Sequence, residues 1–270
     1  MSYIYNPKRP GSNLSRKKIN WKKTWKYVGY LCIAGFVMVA GVFLYFYKDL
    51  PSPGNIGDRF IAESTKIYDR TGTHILYDVH GEEKRTQIPY AEMPENIRYA
   101  TISLEDQTFY SHGGVDPKGI LRAALKDVLH LGAAQGGSTI TQQFIKKSAL
   151  TDEKSITRKI KEVILSIELE QKYSKDEILE MYLNTIPYGS NAYGIEAAAQ
   201  TFFGKHAKEL TLPEATLLAS LPNAPTYYSP YGSHPEALKA RQELALKRMF
   251  DQGYIDENQY NEAKGVDILA

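Results

Sequence analysis

Hydrophobic and polar positions follow three different rhythms along this chain. From Tyr27 to Tyr47 there is no rhythm at all: YVGYLCIAGFVMVAGVFLYFY runs 21 residues without a charge. A membrane-crossing helix needs roughly 20 apolar residues, so residues 27–47 are predicted to be one. Trp21, Trp25, Tyr27, Tyr45 and Tyr47 sit near its two ends, as an aromatic belt would. A cleaved signal peptide is the competing reading, but the run is long and no small-residue cleavage site follows it. Residues 48–63, with Pro51, Pro53, Gly54 and Gly57, read as a linker. A period of two then predicts short strands at Ser64–Asp69, His74–His80 and Lys84–Ile88, with a turn at Asp69-Arg70-Thr71-Gly72.

From Tyr90 onward the pattern is helical almost throughout. Ser174-Lys175-Asp176-Glu177 and Thr211-Leu212-Pro213-Glu214 each place a hydroxyl three residues before Glu, the pattern of a capping box. Pro213 and Pro235 suit a first helical turn, and Gly253 a stop for a helix over Pro235–Gln252. The fold class is therefore mainly α. A small β element (64–90) precedes the main domain (91–255), and residues 256–270 form a C-terminal segment, either the end of the protein or a linker to a further domain.

Charge refines this picture. The formal net charge of +2 hides an asymmetry. Residues 1–26 hold eight Lys or Arg and no acid, leaving 25 basic and 31 acidic side chains for the rest. The basic tail is then cytoplasmic and everything after Lys48 external. The domain itself is acidic, which argues against a nucleic-acid partner. Cys32, the only cysteine, lies in the apolar run, so no disulfide or cysteine nucleophile is expected outside it.

Chemistry concentrates in four segments. Glu105-Asp106 ends an apolar helical stretch just before Phe109, His112 and Gly114. A carboxylate leaving a buried helix suits a general base; the plainer reading is a surface acid, with Asp106 and His112 ordering the loop. Gly136-Gly137 precede Ser138, a good N-cap, and a helix from Thr139 would carry Thr139, Gln142, Gln143 and Lys146 on one face. Such a face is either an anion seat or simply solvated. Arg158 and Lys159 lie four and three residues before Glu162, which spacing alone makes an ordinary surface pair. A Gly-rich turn over 182–198 carries Asn184, Asn191 and Tyr193, as sugar ligands or, by preference, as turn chemistry.

In this order the blocks resemble the bacterial peptidoglycan glycosyltransferases (glycosyltransferase family 51), the N-terminal module of class A penicillin-binding proteins and their monofunctional relatives. The resemblance covers about residues 64–255. Its motifs match at Glu105, Asp106, Phe109, His112 and Gly114, then from Gly136 to Lys146, then at Arg158, Lys159 and Glu162. They continue at Tyr182-Leu183-Asn184, Tyr193-Gly194 and Phe203-Gly204-Lys205. The last runs from Leu217 to Pro225, with Tyr228-Ser229-Pro230 and Arg241. Lys147 departs from the pattern, where relatives usually have Asn.

The resemblance implies a lysozyme-like domain of two lobes, head and jaw. It implies polymerisation of lipid II into β-1,4 glycan with loss of undecaprenyl pyrophosphate, at a bacterial plasma membrane. Glu105 would be the base. Lys146, Arg158 and Lys159 would hold the pyrophosphate, while Ser138, Thr139, Gln142, Gln143, Asn184, Tyr193 and Arg241, with Asp106, Phe109 and His112, would face substrate. Glu162 would orient the cations or bind a bridging Mg or Mn; no organic cofactor is expected. Other cell-wall synthesis or division proteins are the protein partners it suggests. The amphipathic stretch Pro117–Leu131 would dip Ile120, Leu121, Ala124, Leu125 and Val128 into the bilayer, unless that face is core. The alternatives weighed are a muramidase-like hydrolase, which needs no cations for a pyrophosphate, and an inactive scaffold, which has no need of Glu105 and Glu162. A transpeptidase is not expected, since no Lys-Thr-Gly occurs.

Overall fold

The computed structural model describes residues 21–47, 65–68, 70–71, 75–79, 84–128, 137–148, 150 and 155–268. The chain divides into two compact units, 1–48 and 49–270. The first contains α1 (Trp21–Tyr47), a helix of 27 residues. Trp21, Trp25, Leu31 and Met38 on it are exposed. Among the described residues no helix is long and apolar enough to cross a membrane. That statement leaves out the side chains of Cys32, Phe36, Val39, Ala40, Val42 and Phe46, which fall outside the described set within α1. The linker at 48–63 and most of the basic tail also lie outside the described residues.

In the second unit, β1 (Thr65–Tyr68) and β2 (Ile75–Val79) form an antiparallel pair with Thr65 opposite Val79. The third predicted strand needs correction. β3 is only Lys84–Arg85, and it does not join the first two. It runs parallel to β5 (Ala192–Tyr193), which in turn pairs antiparallel with β4 (Pro187–Gly189). The Gly-rich turn is thus a small hairpin. Ser190 and Asn191 at its tip have φ of 51° and 58°, the left-handed pair that a two-residue hairpin turn uses. Pairing across about a hundred residues of sequence leaves no local signal.

Among the described residues nine further α-helices follow. They are α2 (Glu95–Glu105), α3 (Pro117–Val128), α4 (Ile140–Ser148), α5 (Ile156–Lys172) and α6 (Lys175–Thr185). After the hairpin come α7 (Ile195–Phe203), α8 (Leu212–Ser220), α9 (Pro235–Asp251) and α10 (Glu257–Gly265). Both predicted capping boxes form, at Ser174 and Thr211. Pro213 and Pro235 occupy first turns, and Gly253 follows α9 with φ of 74°. α4 starts one residue later than expected, and Thr139, not Ser138, caps it. The Thr139 hydroxyl accepts from Gln142 N–H at 3.2 Å, and Gln142 Oε1 accepts from Thr139 N–H at 3.1 Å.

α2 organises the core. It lies against α8 and α9, while α4 packs on α5 and α6. Ile97 and every residue from Ala100 to Glu105 are buried, so the second half of α2 has no solvent face. Ile97, Ile102 and Leu104 each contribute about 1.5–3 kcal/mol by leaving water. A helix buried all round is read from sequence only as an apolar run, but its last residue is Glu105, and a buried carboxylate demands partners.

Two predictions follow from this packing. Glu214 caps α8 and pairs with Lys205 at 2.7 Å. Burial alone would raise its carboxyl, but bonds from Lys205 and from Thr211 N–H and hydroxyl hold it below the ordinary 4.5. A carboxyl held low when folded stabilises the fold above its unfolded pKa, and that contribution is lost as pH falls through the lower folded value. Glu214→Gln is therefore expected to cost about 1 kcal/mol near neutrality, with the gap to the parent closing toward pH 3, read by urea denaturation at both pH values. The second concerns Gly114, whose φ is 84° and where an added Cβ would lie 2.6 Å from the Ser166 carbonyl oxygen on α5. All three close contacts, Ser166 O, Ser166 C and Ile167 N, are backbone, so Gly114→Ala should destabilise by about 2–3 kcal/mol, seen as a lowered denaturation midpoint.

Candidate active site

Glu105 ends α2 at the wall of a cleft of about 530 Å³ that Gln143, Lys146, Glu162, Arg241 and Arg248 also line. Its side chain is 7% exposed, enough to meet a ligand in the cleft but not bulk water. Arg241 Nη2 donates to Oε1 at 2.7 Å and Gln143 Nε2 donates to Oε2 at 2.8 Å. Arg241 Nε also donates to Ser220 O at 3.1 Å, which ties α9 to the end of α8. Each carboxylate oxygen thus has one fixed donor and keeps lone-pair capacity for a substrate proton.

Asp106 turns the other way. Its Oδ2 accepts from His112 Nε2 at 2.9 Å and from Ile140 N–H at 3.1 Å. That carboxylate lies at the N-terminus of α4, where a helix dipole favours negative charge. The Asp106–His112 pair therefore locks the loop after α2 onto α4. Thr139 is 2% exposed, and its hydroxyl donates to Gly114 O at 2.7 Å. Asp106 and Thr139 also line a smaller pocket of about 60 Å³ beside Glu105.

The cations that line the cleft are Lys146 and Lys147 of α4 and Arg241 and Arg248 of α9, and from α5 it is Glu162 that does so. Lys159 Nζ pairs with Glu162 Oε1 and donates to Ser138 Oγ at 2.9 Å. Glu162 is 3% exposed, so its charge is fixed and compensated by Lys159. Arg158 N–H donates to Ser155 Oγ, the N-cap of α5. As a metal ligand, Glu162 has little support. One oxygen is taken by Lys159, and among the described residues no three His, Cys, Asp or Glu side chains converge on a point.

Three predicted ligands are better explained as scaffold. Gln142 is fully buried and completes the Thr139 cap. Phe109 is fully buried, edge-on to His112 with Lys175 Nζ 4.5 Å from its ring centre. Asn184 accepts from Ile88 N–H at 3.1 Å and donates to Ile88 O at 2.9 Å, clamping the strand-side chain to α6. Buried polar groups seek partners: both amide atoms of Asn184 and the Gln142 oxygen find them inside the protein, while Gln142 Nε2 has none among the described residues. Tyr193 sits in β5, half-buried, and does not line the cleft.

Asn223 and Tyr228 of the last motif also line the cleft, as does Arg248, which no motif covers. Arg248 follows Arg241 by seven residues, two turns along one face of α9, and that spacing was the available signal. Its Nη1 donates to Leu104 O at 2.9 Å, where the C-terminus of α2 attracts a cation. Burial and then the neighbouring Arg241 push the Arg248 guanidinium below its ordinary pKa, with Glu105 opposing. The Arg241 guanidinium lies 5.3 Å from the Tyr228 ring centre. The cleft thus sets two carboxylates, Glu105 and Glu162, among clustered cations, a setting for deprotonating a hydroxyl beside an anionic leaving group.

The family model described as transglycosylase matches residues 72–250. Penicillin-binding protein 1A of Aquifex aeolicus is 44% identical over 233 residues, covering 86% of this chain and 32% of its own length. Penicillin-binding protein 1F of Bacillus subtilis is 45% identical over 204 residues, covering 75% of this chain and 28% of its own. Penicillin-binding protein 1A/1B of the same organism is 42% identical over 261 residues, covering 96% and 28%. The chain spans less than a third of the length of each of these relatives. Matched over most of its length, the chain belongs to the transglycosylase family.

Proposed function

We propose that this chain is a peptidoglycan glycosyltransferase that polymerises lipid II into β-1,4-linked glycan with release of undecaprenyl pyrophosphate. The observation that carries the reading is the Glu105 carboxylate, fixed by Arg241 and Gln143 at the wall of a cleft also lined by Lys146 and Glu162. Glu105 takes the proton of the acceptor's 4-hydroxyl as that oxygen attacks the donor's anomeric carbon. The new C–O bond forms as the bond to the pyrophosphate oxygen breaks, and the electron pair leaves with the phosphate. One displacement at an α-phosphate gives the β product. Lys146 and Lys159 stabilise the charge gathering on the leaving group, with Arg158 adding to the field, and Glu162 keeps Lys159 in place.

The same reading gives the rest of the chain its place. Two lobes of the lysozyme type would flank this cleft. α1 would anchor the enzyme, since 21 uncharged residues at about 1.5 Å each span roughly the 30 Å hydrocarbon layer. Both substrates are membrane lipids, so anchoring confines enzyme and substrate to one plane. The tail before α1 would be cytoplasmic and the domain external. On α3, Ile120 and Leu121 are 43% and 62% exposed, which supports contact with the bilayer; Ala124, Leu125 and Val128 lie outside the described side chains.

The direct test is lipid II polymerisation by the detergent-solubilised chain, resolving glycan length on a gel. Glu105→Gln is expected to lose about 10²–10⁴-fold in rate while staying folded, the usual weight of a general base. Cutting of finished glycan in place of polymerisation would give the hydrolase reading, and a fully active Glu105→Gln would remove Glu105 as base. For the membrane face, Leu121→Asp should weaken liposome binding of a chain lacking residues 1–47 by about tenfold. Unchanged flotation with liposomes would place that face elsewhere.

A further inference from the structure

Tyr182 on α6 is fully buried, and its hydroxyl donates to Gln143 Oε1 at 3.2 Å. The other end of that amide donates to Glu105 Oε2 at 2.8 Å. An ionised carboxylate only accepts, so the amide nitrogen must face Glu105. The amide oxygen then faces Tyr182, and only a protonated phenol can bond it there. We propose that Tyr182 is a positioning residue for the catalytic base, setting the Gln143 amide so that its N–H₂ holds the Glu105 carboxylate in reach of the acceptor hydroxyl. This deepens the glycosyltransferase reading and rests on it.

Burial, reinforced by the negative charge of Glu105 and by Tyr188, holds the Tyr182 phenol well above its ordinary pKa, against Arg241. The phenol therefore remains a donor over the whole working pH range. Buried relays of this kind act as units, since each bond fixes the direction of the next. Without the hydroxyl, the Gln143 amide is held from its nitrogen end alone, and its bond to the Glu105 carboxylate is less firmly set. The sign is definite: a carboxylate that loses a donor becomes more basic. The charged or titratable groups around Glu105 are Asp106 beside it, Tyr182 on α6, Glu162 on α5, Lys146 and Lys147 on α4, and Arg241 and Arg248 on α9. Tyr182→Phe leaves every one of the others in place and keeps the ring that fills the core.

Tyr188 supplies the control. It is equally buried, and its hydroxyl has no hydrogen-bond partner among the described residues. The experiment uses the full detergent-solubilised chain as parent, Tyr182→Phe, Tyr188→Phe, Gln143→Leu and the Tyr182/Gln143 double variant. Two readouts are taken: the pH dependence of kcat and KM for lipid II, and the titration of the Glu105 carboxyl by ¹³C NMR, assigned through Glu105→Gln. Tyr182→Phe is expected to raise the Glu105 titration and the acid limb of kcat together by about half a unit or more. It should lower kcat near neutrality several-fold with KM little changed. Tyr188→Phe should match the parent, and the double variant should be no worse than Gln143→Leu. An unmoved Glu105 titration in Tyr182→Phe overturns the proposal, as does an equal shift in Tyr188→Phe or additive effects in the double variant. If Tyr182→Phe does not fold, the Gln143→Leu titration decides, and an unmoved Glu105 there overturns it too. A parent that makes no glycan defeats the glycosyltransferase reading, while the NMR titration still decides whether Tyr182 acts on Glu105.

Discussion

Burying a carboxylate at the end of a helix that has no solvent face is the constraint around which the second unit is arranged. Glu105 leaves the core with α2, and desolvating its charge without partners would cost several kcal/mol. The partners come from two helices. α4 supplies Gln143, α9 supplies Arg241 to the carboxylate, and Arg248 from α9 bonds the carbonyl of Leu104 one residue earlier. The helices that satisfy the acid are those that pack α2 or face it across the cleft. Fold and site are therefore one arrangement: the packing that fixes α2 also fixes the donors.

The first ring of contacts is itself held by a second. Gln143 is turned by Tyr182, Arg241 is tied to Ser220 O, and the α4 N-terminus is tied to Asp106. Asp106 and Glu105 are adjacent in sequence yet serve opposite ends of the same task. One carboxylate faces the cleft, and the other faces the protein and locks the loop. The cause is backbone geometry: Asp106 leaves the helix with φ of −156°, so the two side chains diverge. On the far wall, Lys159 bridges Glu162 and Ser138, which joins α5 to the turn before α4. Burial first, and repulsion from Arg241 second, push the Arg248 guanidinium below its ordinary pKa, so the clustering of cations adds to the cost of burying it. An anionic substrate would relieve it.

Local rules read well from the sequence. The capping boxes at Ser174 and Thr211 and the prolines at 213 and 235 depend on residues within one turn, and they stand as expected. Glu105 at a helix end was also legible, because an apolar stretch followed by Glu-Asp and a loop is a local pattern. β3 was misplaced because its partner lies about a hundred residues away, and two residues carry no period. Gln142, Phe109 and Asn184 were read as ligands because polar or aromatic residues inside functional blocks look alike whether they touch substrate or hold the scaffold. Only burial separates the two, and burial is a property of the packed chain.

The sequence alone determined which residue types were available and in what order: an uncharged 21-residue run, an acid at a helix end, cations three and four residues from Glu162. Those follow from hydrophobic periodicity and helix spacing, which act over a few residues. The tertiary structure decided which oxygen of Glu105 meets Arg241 and which meets Gln143, that Tyr182 rather than Tyr188 completes the relay, and that Arg248 joins the site. These bonds span up to 144 residues of sequence. They depend on where four helices come to rest, and that is set by the shared core rather than by any local stretch.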